Sequence, residues 1–476
     1  MPSDDEILAE LTRLRAHDAP TRGGRTFAYV YEAGLPGLDD LAARAYATFA
    51  TVNALDMTVF PSVVRLENDV VAFAARLLGG DDATRGSFTS GGTESILLAV
   101  KAARDHARAT RGLTDPAIVL PATAHVAFRK AAHYLGLRVV TVPVDPVTLT
   151  PDPRDMAGAV GERTALVVAS APSYAHGVLD PVADIAALAR ERGVWCHVDA
   201  CVGGMVLPYL RRLGRDIAPF DLSVPGVHSL SVDLHKYGFA DKGASVVLYR
   251  DAALRRHQYF ASAAWPGYPV VNPTILGSRS AGLLASAWAV LRHVGDDGYA
   301  DLAAAALRAT EAVVAGVERI DGLRVLGSPA STLVCVASDI TDPLNVADEM
   351  RERGWFLQPQ LSFGGLNRTL HLTVTPATGP RAADMLADLA EAVRVAADLP
   401  SPDPDPDVAE AIAALNPAEL GPEDMAAVLA AAGIVPGEGV PARSAPVLAL
   451  LDAAPQELKE LFLVEFVGSL FSASGA

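Results

Sequence analysis

Three short segments of this chain hold residues whose types and spacing suit chemistry. In VWCHVDACVGG (194–204) a β-rich run ends at Asp199 and passes into small residues. A carboxylate at the carboxyl end of a parallel strand projects into the crevice where α/β folds bind ligands. There it can pair with a pyridinium nitrogen and keep it protonated, which makes the ring an electron sink. An aspartate in this position equally well caps the next turn. In SVDLHKYGFADKGAS (231–245) Lys236 follows another β run and precedes a turn, a position from which a desolvated amine of lowered pKa can form an imine. An isolated lysine is more often a solvated surface group. In SFTSGGTES (87–95), Ser90, Gly92 and Thr93 stand just before an amphipathic helix, where free backbone N–H groups and the helix dipole favour a phosphate. Taken alone this is a common turn, and it matches neither the P-loop pattern nor GxGxxG.

The elements that must position these segments follow from periodicity. From about Asn53 to Leu291, helices alternate with β-rich runs: a helix near Glu94 to Thr110, then RVVTVPV, TALVVASAP, a helix opening at Asp180-Pro181, VWCHVDA, SLSVDLHK and GASVVLYR. This alternation predicts an α/β fold with a mainly parallel sheet. Asp180 suits an N-cap and Pro181 the first helical position. Residues 1–52 read as an N-terminal arm with helical pieces over Glu6 to Arg15 and Leu38 to Phe49, and 53–295 as the large domain. Residues 296–398 read as a smaller α+β domain, 399–407 (LPSPDPDPD) as an extended linker, and 408–476 as a helical extension of three or four short helices.

Composition narrows the function classes. The formal charge of −17 argues against broad binding of nucleic acid or anionic lipid and points to a small-molecule partner. No window approaches the run of about 18 apolar residues that spans a membrane. The acidic, amphipathic start MPSDDEILAELTRL lacks the form of a secretory signal, which predicts a cytoplasmic protein. Cys196, Cys201 and Cys335 lack CxxC spacing and give no disulfide framework or metal site. Only five lysines occur, Lys101, Lys130, Lys236, Lys242 and Lys459, so each invites a question about amine chemistry.

In order and content the segments SGGTESILLAVKAARD, HVAFRKAAHYLGL, HVDACVGG, HKYGFADKGASVVLYR and PTILGSRSAGLLASAWAVLRHVGDDGY resemble the group II pyridoxal phosphate decarboxylases and, within them, the sphingosine-1-phosphate lyases. The resemblance covers roughly residues 25 to 300 well and the later domain more loosely. It implies an aspartate-aminotransferase-like fold (fold type I) and pyridoxal 5'-phosphate (PLP) held as an imine by Lys236. It further implies Asp199 on the pyridine nitrogen, His125 stacked on the ring, and Ser90, Gly92, Thr93 and His235 at the cofactor phosphate. Gly277 and Ser278 would come from a second subunit, which makes a homodimer the expectation. Tyr31 and Asn53 fall at arm positions that reach the active site in the lyases, Tyr31 as a proton shuttle.

The match breaks at Asp56, where lyases usually carry a histidine near the substrate phosphate; a carboxylate there repels a phosphate unless protonated or paired. Lys242 follows the lyase pattern and can supply positive charge, and Arg368 in GGLNRTLHLTVTP is a further candidate for a substrate anion. The implied activity is carbon–carbon cleavage of a 2-amino alcohol, with decarboxylation of an L-amino acid as the alternative. A transaminase and a catalytically silent PLP-binding scaffold rank below both.

Overall fold

The computed structural model describes residues 2–421 and 443–471. Seven strands form the large sheet: β1 (Arg85–Thr89), β2 (Ala117–Pro121), β3 (Arg138–Val142), β4 (Thr164–Ser170), β5 (Trp195–Asp199), β6 (Ser229–Asp233) and β7 (Ser245–Tyr249). Their spatial order is β1-β7-β6-β5-β4-β2-β3, and β7 alone runs against its neighbours. Strands β2 and β4 to β7 are buried along their whole length, as a sheet covered on both faces requires. Side chains alternate between two cores. Ile118, Leu120, Leu166 and Val168 join one under the helices Gly92–Arg111 and Ala127–Leu135, whereas Val119, Val167 and Ala169 join the other with Val63, Val70, Ile185 and Val290. The α/β, mainly parallel fold read from the sequence is the observed one.

The hairpin of β8 (Phe260–Ser262) and β9 (Val270–Asn272) leads into a helix, Gly282–Val317, that breaks at Gly295, where φ is 64°. Its first half packs Leu284, Ala285 and Val290 on the large sheet. Its second half sends Ala309, Val313 and Val317 into a separate core. That core lies on a second, antiparallel sheet of β10 (Leu323–Val325), β11 (Leu333–Ser338), β12 (Gln358–Gln360) and β13 (Thr369–Thr373), ordered β10-β11-β13-β12. The arm packs here too: Phe27 is fully buried in the same core, and its N–H donates to the carbonyl of Phe356 at 2.8 Å. The first helix, Asp4–Leu14, buries none of its residues. Beyond the small sheet, the segment from 399 ends earlier than expected, because Asp405 caps a helix Pro406–Ala413. Helices Ala445–Ala453 and Gln456–Leu470 follow; part of the helical extension read from the sequence, residues 422–442, lies outside the described residues.

Asp180 corrects the sequence reading. The helix after β4 is Val182–Arg192, its N-cap is Pro181, and no side chain caps it. The Asp180 carboxylate turns away and accepts the backbone N–H of Ser170 at 2.7 Å, tying the end of β4 to the loop. Its Oδ1 is buried without a partner. Burial pushes its carboxyl up to about 7, against the opposing bond from Ser170. A carboxyl raised in the folded state binds a proton that the unfolded chain has lost, so its contribution to stability is present at low pH and fades as pH climbs from the ordinary aspartate range toward and past 7. Asp180→Asn, which keeps the acceptor and removes the charge, is therefore expected to match or exceed the native melting temperature at pH 8.5, whereas Asp180→Ala loses about 1–3 kcal/mol through the orphaned Ser170 N–H. Equal losses in both variants, read by thermal denaturation, would mean that the charge itself is needed.

Candidate active site

The residues singled out in the three segments meet at the carboxyl edge of the large sheet, because β1, β2, β4, β5 and β6 all end there. Ser90 to Thr93 follow β1, His125 follows β2, Asp199 closes β5, and Lys236 stands in the turn after β6. They line one cavity with Ser170, Tyr174, Cys201, Asp233, His235 and Gly243.

At its floor the helix Gly92–Arg111 presents an N-terminus with no side-chain cap. A methyl group on Gly92 would lie 2.7 Å from Oδ2 of Asp233 and 2.8 Å from Sγ of Cys201, so only glycine lets the backbone sit this close. An uncapped helix start of this length, held bare by glycine, is a cradle for an anionic group such as a phosphate. Glu94 secures it: its carboxylate accepts the N–H of Ser90 and, from the loop after β9, the N–H of Ile275, both at 2.6 Å.

Lys236 Nζ lies 3.0 Å from Oδ2 of Asp233. Burial alone would lower the lysine's pKa, but the charge of Asp233, helped by Tyr31, Cys201 and Asp199, holds it well above the usual value. This reverses the expectation of a desolvated amine of lowered pKa: the amine is desolvated, and the buried carboxylate three residues earlier keeps it an ammonium. Asp233 itself, although burial would raise it, is held low by Lys236 and His235. Its Oδ1 is buried with no hydrogen bond. Asp233 escaped the sequence reading; the alternation in SLSVDLHK, which ends a β run on an acid one turn before the lysine, was the signal available.

Asp199 accepts the N–H of Cys201 at 3.0 Å and stays buried at the end of β5. Beneath it His197 lies between Ser229 and Ser231, fully buried, and burial lowers its pKa to about 4, so it supports Asp199 as a neutral ring. The Nδ1 of His125 accepts the N–H of Ala127 at 3.2 Å, and burial holds its pKa below the ordinary value. The ring is thus neutral and fixed, edge-on to Tyr174. His235 donates through Nδ1 to the carbonyl of Ala244 at 2.8 Å.

A second cavity shares His125, Tyr174, His235 and Lys236 with the first and opens outward between the arm and the small sheet. Tyr31 enters it from the arm, edge-on to Tyr237, with the ammonium of Lys242 4.9 Å from its ring centre. Burial raises the Tyr31 phenol, so it keeps its proton at neutral pH. Burial, followed by the charge of Lys236, pushes Lys242 down to about 8. Gln358 joins two further tyrosines, accepting from Tyr174 at 2.7 Å and donating to Tyr29 at 2.8 Å.

Five of the residues named from the sequence do not line these cavities within one chain. Asn53 meets Ser278 (3.5 Å) and forms a bridge with Ser280, so Asn53, Gly277 and Ser278 gather in one patch, with Ser278 exposed and the other two half-buried. The fourth, Asp56, sits three residues on and accepts the N–H and hydroxyl of Thr58 and the N–H of Val59. Arg368 is also elsewhere. It is bonded to Asp342, Asp403 and Asp452 at 2.7 to 2.8 Å, so its charge is spent on structure and it is no substrate anchor.

If Asp233 sets the charge of Lys236, Asp233→Asn brings the lysine's pKa down. Acylation of Lys236 by a small amine-reactive anhydride, which releases its carboxylate as leaving group, is followed by peptide mass spectrometry across pH and is expected to begin at lower pH in the variant. An unchanged profile would place the control of this amine elsewhere.

Comparison with known proteins agrees with this geometry. The family model of the pyridoxal-dependent decarboxylase conserved domain matches residues 25–338. A second, described as a pyridoxal-dependent enzyme C-terminal putative HTH domain, matches 406–469. Sphingosine-1-phosphate lyase of Arabidopsis thaliana is 39% identical over 405 residues, covering 83% of this chain and 73% of its own. A solved sphingosine-1-phosphate lyase of Burkholderia pseudomallei is 40% identical with a TM-score of 0.79, over 83% of this chain and 92% of that one. Glutamate decarboxylase of Lactobacillus brevis shares the fold at 20% identity, with a TM-score of 0.73 over 84% of this chain and 94% of its own. The phosphate cradle, the buried lysine and the strand-end carboxylate fit PLP, and the chain belongs to the pyridoxal-dependent decarboxylase family as a PLP-dependent lyase similar to the sphingosine-1-phosphate lyases.

Proposed function

We propose that this protein cleaves a phosphorylated long-chain 2-amino alcohol between the amine-bearing and hydroxyl-bearing carbons, releasing an aldehyde and a phosphorylated aminoalkyl fragment. The observation that carries this reading is the lining of the outer cavity. Lys242, Arg129, His125, His176 and His235 surround it together with Leu361, Phe363, Leu366 and Val126, and among the described residues no carboxylate lines it. Its volume of about 830 Å³ exceeds what an amino acid needs and suits an anion joined to an alkyl chain. The aspartate that set this chain apart from the lyases, Asp56, accepts from Thr58 and Val59 and does not line this cavity within one chain.

In this reading Lys236 would hold the cofactor, Asp199 would serve its ring nitrogen, His125 would bind its ring, and Ser90, Gly92, Thr93 and His235 would receive its phosphate. When bound, PLP supplies the sink for the electron pair left at the amine-bearing carbon. The chain's own groups choose the bond and move one proton. Lys242 and Arg129 anchor the substrate anion, and the apolar wall takes the chain, so the carbon–carbon bond is held where it can break. The substrate hydroxyl gives up its proton as the aldehyde forms, and the amine-bearing carbon gains one; Tyr31 and Lys236, side by side at the junction of the cavities, are the groups placed to relay it.

We also propose a homodimer. Asn53 and Gly277 are half-buried and Ser278 is exposed, and none of the three lines the cavities of its own chain, which suits residues that complete a second subunit's site. Three buried free thiols, Cys196, Cys201 and Cys335, suit the reducing cytoplasm, and no helix among the described residues is long and apolar enough to cross a membrane.

Two measurements test the site. Borohydride reduction of PLP-loaded protein is expected to fix the cofactor on the peptide containing Lys236 and to fix none in Lys236→Ala; cofactor fixed on another peptide removes Lys236 from its role. Burial, the largest cause, pushes Lys242 down to about 8, so in this reading its cation is present at lower pH and fades as pH rises through that range. The KM for the phosphorylated amino alcohol should therefore climb as pH passes 8, and Lys242→Ala should raise it roughly tenfold or more at pH 7 and flatten the climb. A pH profile that Lys242→Ala leaves intact would rule out this anion site.

A further inference from the structure

The family match over 406–469 carries the name of a helix-turn-helix, a fold often associated with nucleic acid, yet Arg443 and Lys459 are the only cationic side chains in that stretch. Both are committed to carboxylates: Arg443 to Glu349 and Glu352, Lys459 to Asp452. An acidic unit with its few cations spent has nothing to offer a phosphate backbone. Its contacts lead instead to the outer cavity.

The mouth of that cavity is formed in part by a tight hairpin. Phe363 and Leu366 exchange both backbone hydrogen bonds at 3.0 Å around Gly364 and Gly365, whose φ values of 59° and 84° need glycine at each position. Leu361, Phe363, Leu366 and Asn367 line the cavity, and Phe363 is 60% exposed there. Two glycines at the tip leave such a hairpin free to swing unless its base is held.

The base is held from the C-terminal unit. Asp452, on the helix Ala445–Ala453, accepts the N–H of Ser362 at 3.1 Å and its hydroxyl at 2.9 Å on one side of the hairpin, and Nε of Arg368 at 2.8 Å on the other. One buried carboxylate thus pins both strands. Arg368 carries the clamp onward to Asp342 at the start of the helix Pro343–Glu352 and to Asp403 in the linker. Behind the hairpin, Leu361 packs on Leu344, Ala445 and Ala449. The same C-terminal helix is fastened at its start, where Asp348 accepts the N–H groups of Ser444 and Ala445 at 3.0 and 2.8 Å.

We propose that the C-terminal unit is a buttress for the substrate mouth, and that Asp452 is a positioning residue which sets how tightly the apolar chain of the substrate is held. The inference rests on the reading that the amine substrate occupies the outer cavity. Asp452 bonds to the hairpin base and to Lys459 and is not among the residues that line the Lys236 site or the cofactor cradle, so it acts through the hairpin on binding.

The test uses the full chain loaded with PLP. Asp452→Asn and, as a second route to the same clamp, Arg368→Lys are compared with the native protein by hydrogen exchange of residues 361–368 and by steady-state kinetics on a long-chain and a short-chain phosphorylated 2-amino alcohol. Loss of charge-assisted bonds at the base should speed exchange of the hairpin amides about tenfold. KM for the long-chain substrate should rise several-fold, with kcat, the cofactor's visible absorbance and the short-chain KM little changed, and Asp452→Glu should recover part of the loss. Unchanged hairpin exchange in both variants, or faster exchange with native long-chain KM, overturns the proposal. If the native protein cleaves no 2-amino alcohol, the functional reading fails by itself; the buttress is then decided by the exchange data and by long-chain amine binding, followed in the cofactor's spectrum.

Discussion

A lysine ammonium buried at the end of a strand survives only beside a compensating charge, because taking either partner of such a pair out of water alone costs several kcal/mol. In this protein the pair is Lys236 and Asp233, 3.0 Å apart. Much of the site can be understood as the scaffold for that pair. Strand β6 delivers Asp233 as its last residue and the following turn brings Lys236 back over it. Gly92 lacks a side chain because Asp233 and Cys201 occupy the space a methyl group would need. The same absence bares the helix start that forms the phosphate cradle. Charge compensation and anion binding are thus two results of one close approach.

Around this centre the two sheets divide the work. The large, mainly parallel sheet converges its strand ends on the cofactor cradle, whereas the arm and the small antiparallel sheet wall the outer cavity. Phe27, fully buried on the small sheet, fixes the arm so that Tyr31 reaches the junction between the two spaces. Gln358 of β12 ties Tyr174, from the large sheet, to Tyr29, from the arm. The break at Gly295 lets one long helix serve both halves. The substrate-facing surface is therefore assembled from segments far apart in the chain, and its shape depends on how they dock.

Motifs that are local were legible in the sequence. Asp199, Lys236 and the SGGT turn each stand at a strand end or helix start that periodicity marks, and their order carried the family resemblance. Asp233 lay in plain view beside Lys236, but it was read as part of a β run, and with it went the sign of the lysine's pKa shift. Asp180 misled because an Asp-Pro pair before a helix suits a cap; only the tertiary demand of the Ser170 N–H shows why the side chain turns away. Arg368 looked free, since its three carboxylate partners come from a helix start, the linker and the C-terminal unit. Pairings over such distances leave no trace in spacing or composition.

Carbon–carbon cleavage is most directly tested by identifying the products. Purified, PLP-loaded protein would be incubated with a phosphorylated long-chain 2-amino alcohol and, separately, with a panel of acidic and aromatic L-amino acids, and the products identified by mass spectrometry and carbon dioxide capture. A long-chain aldehyde with an equal amount of phosphorylated aminoalkyl fragment is the predicted result. Carbon dioxide from an amino acid, with no aldehyde from the amino alcohol, would contradict it and assign the same lysine, cradle and strand-end carboxylate to a different bond.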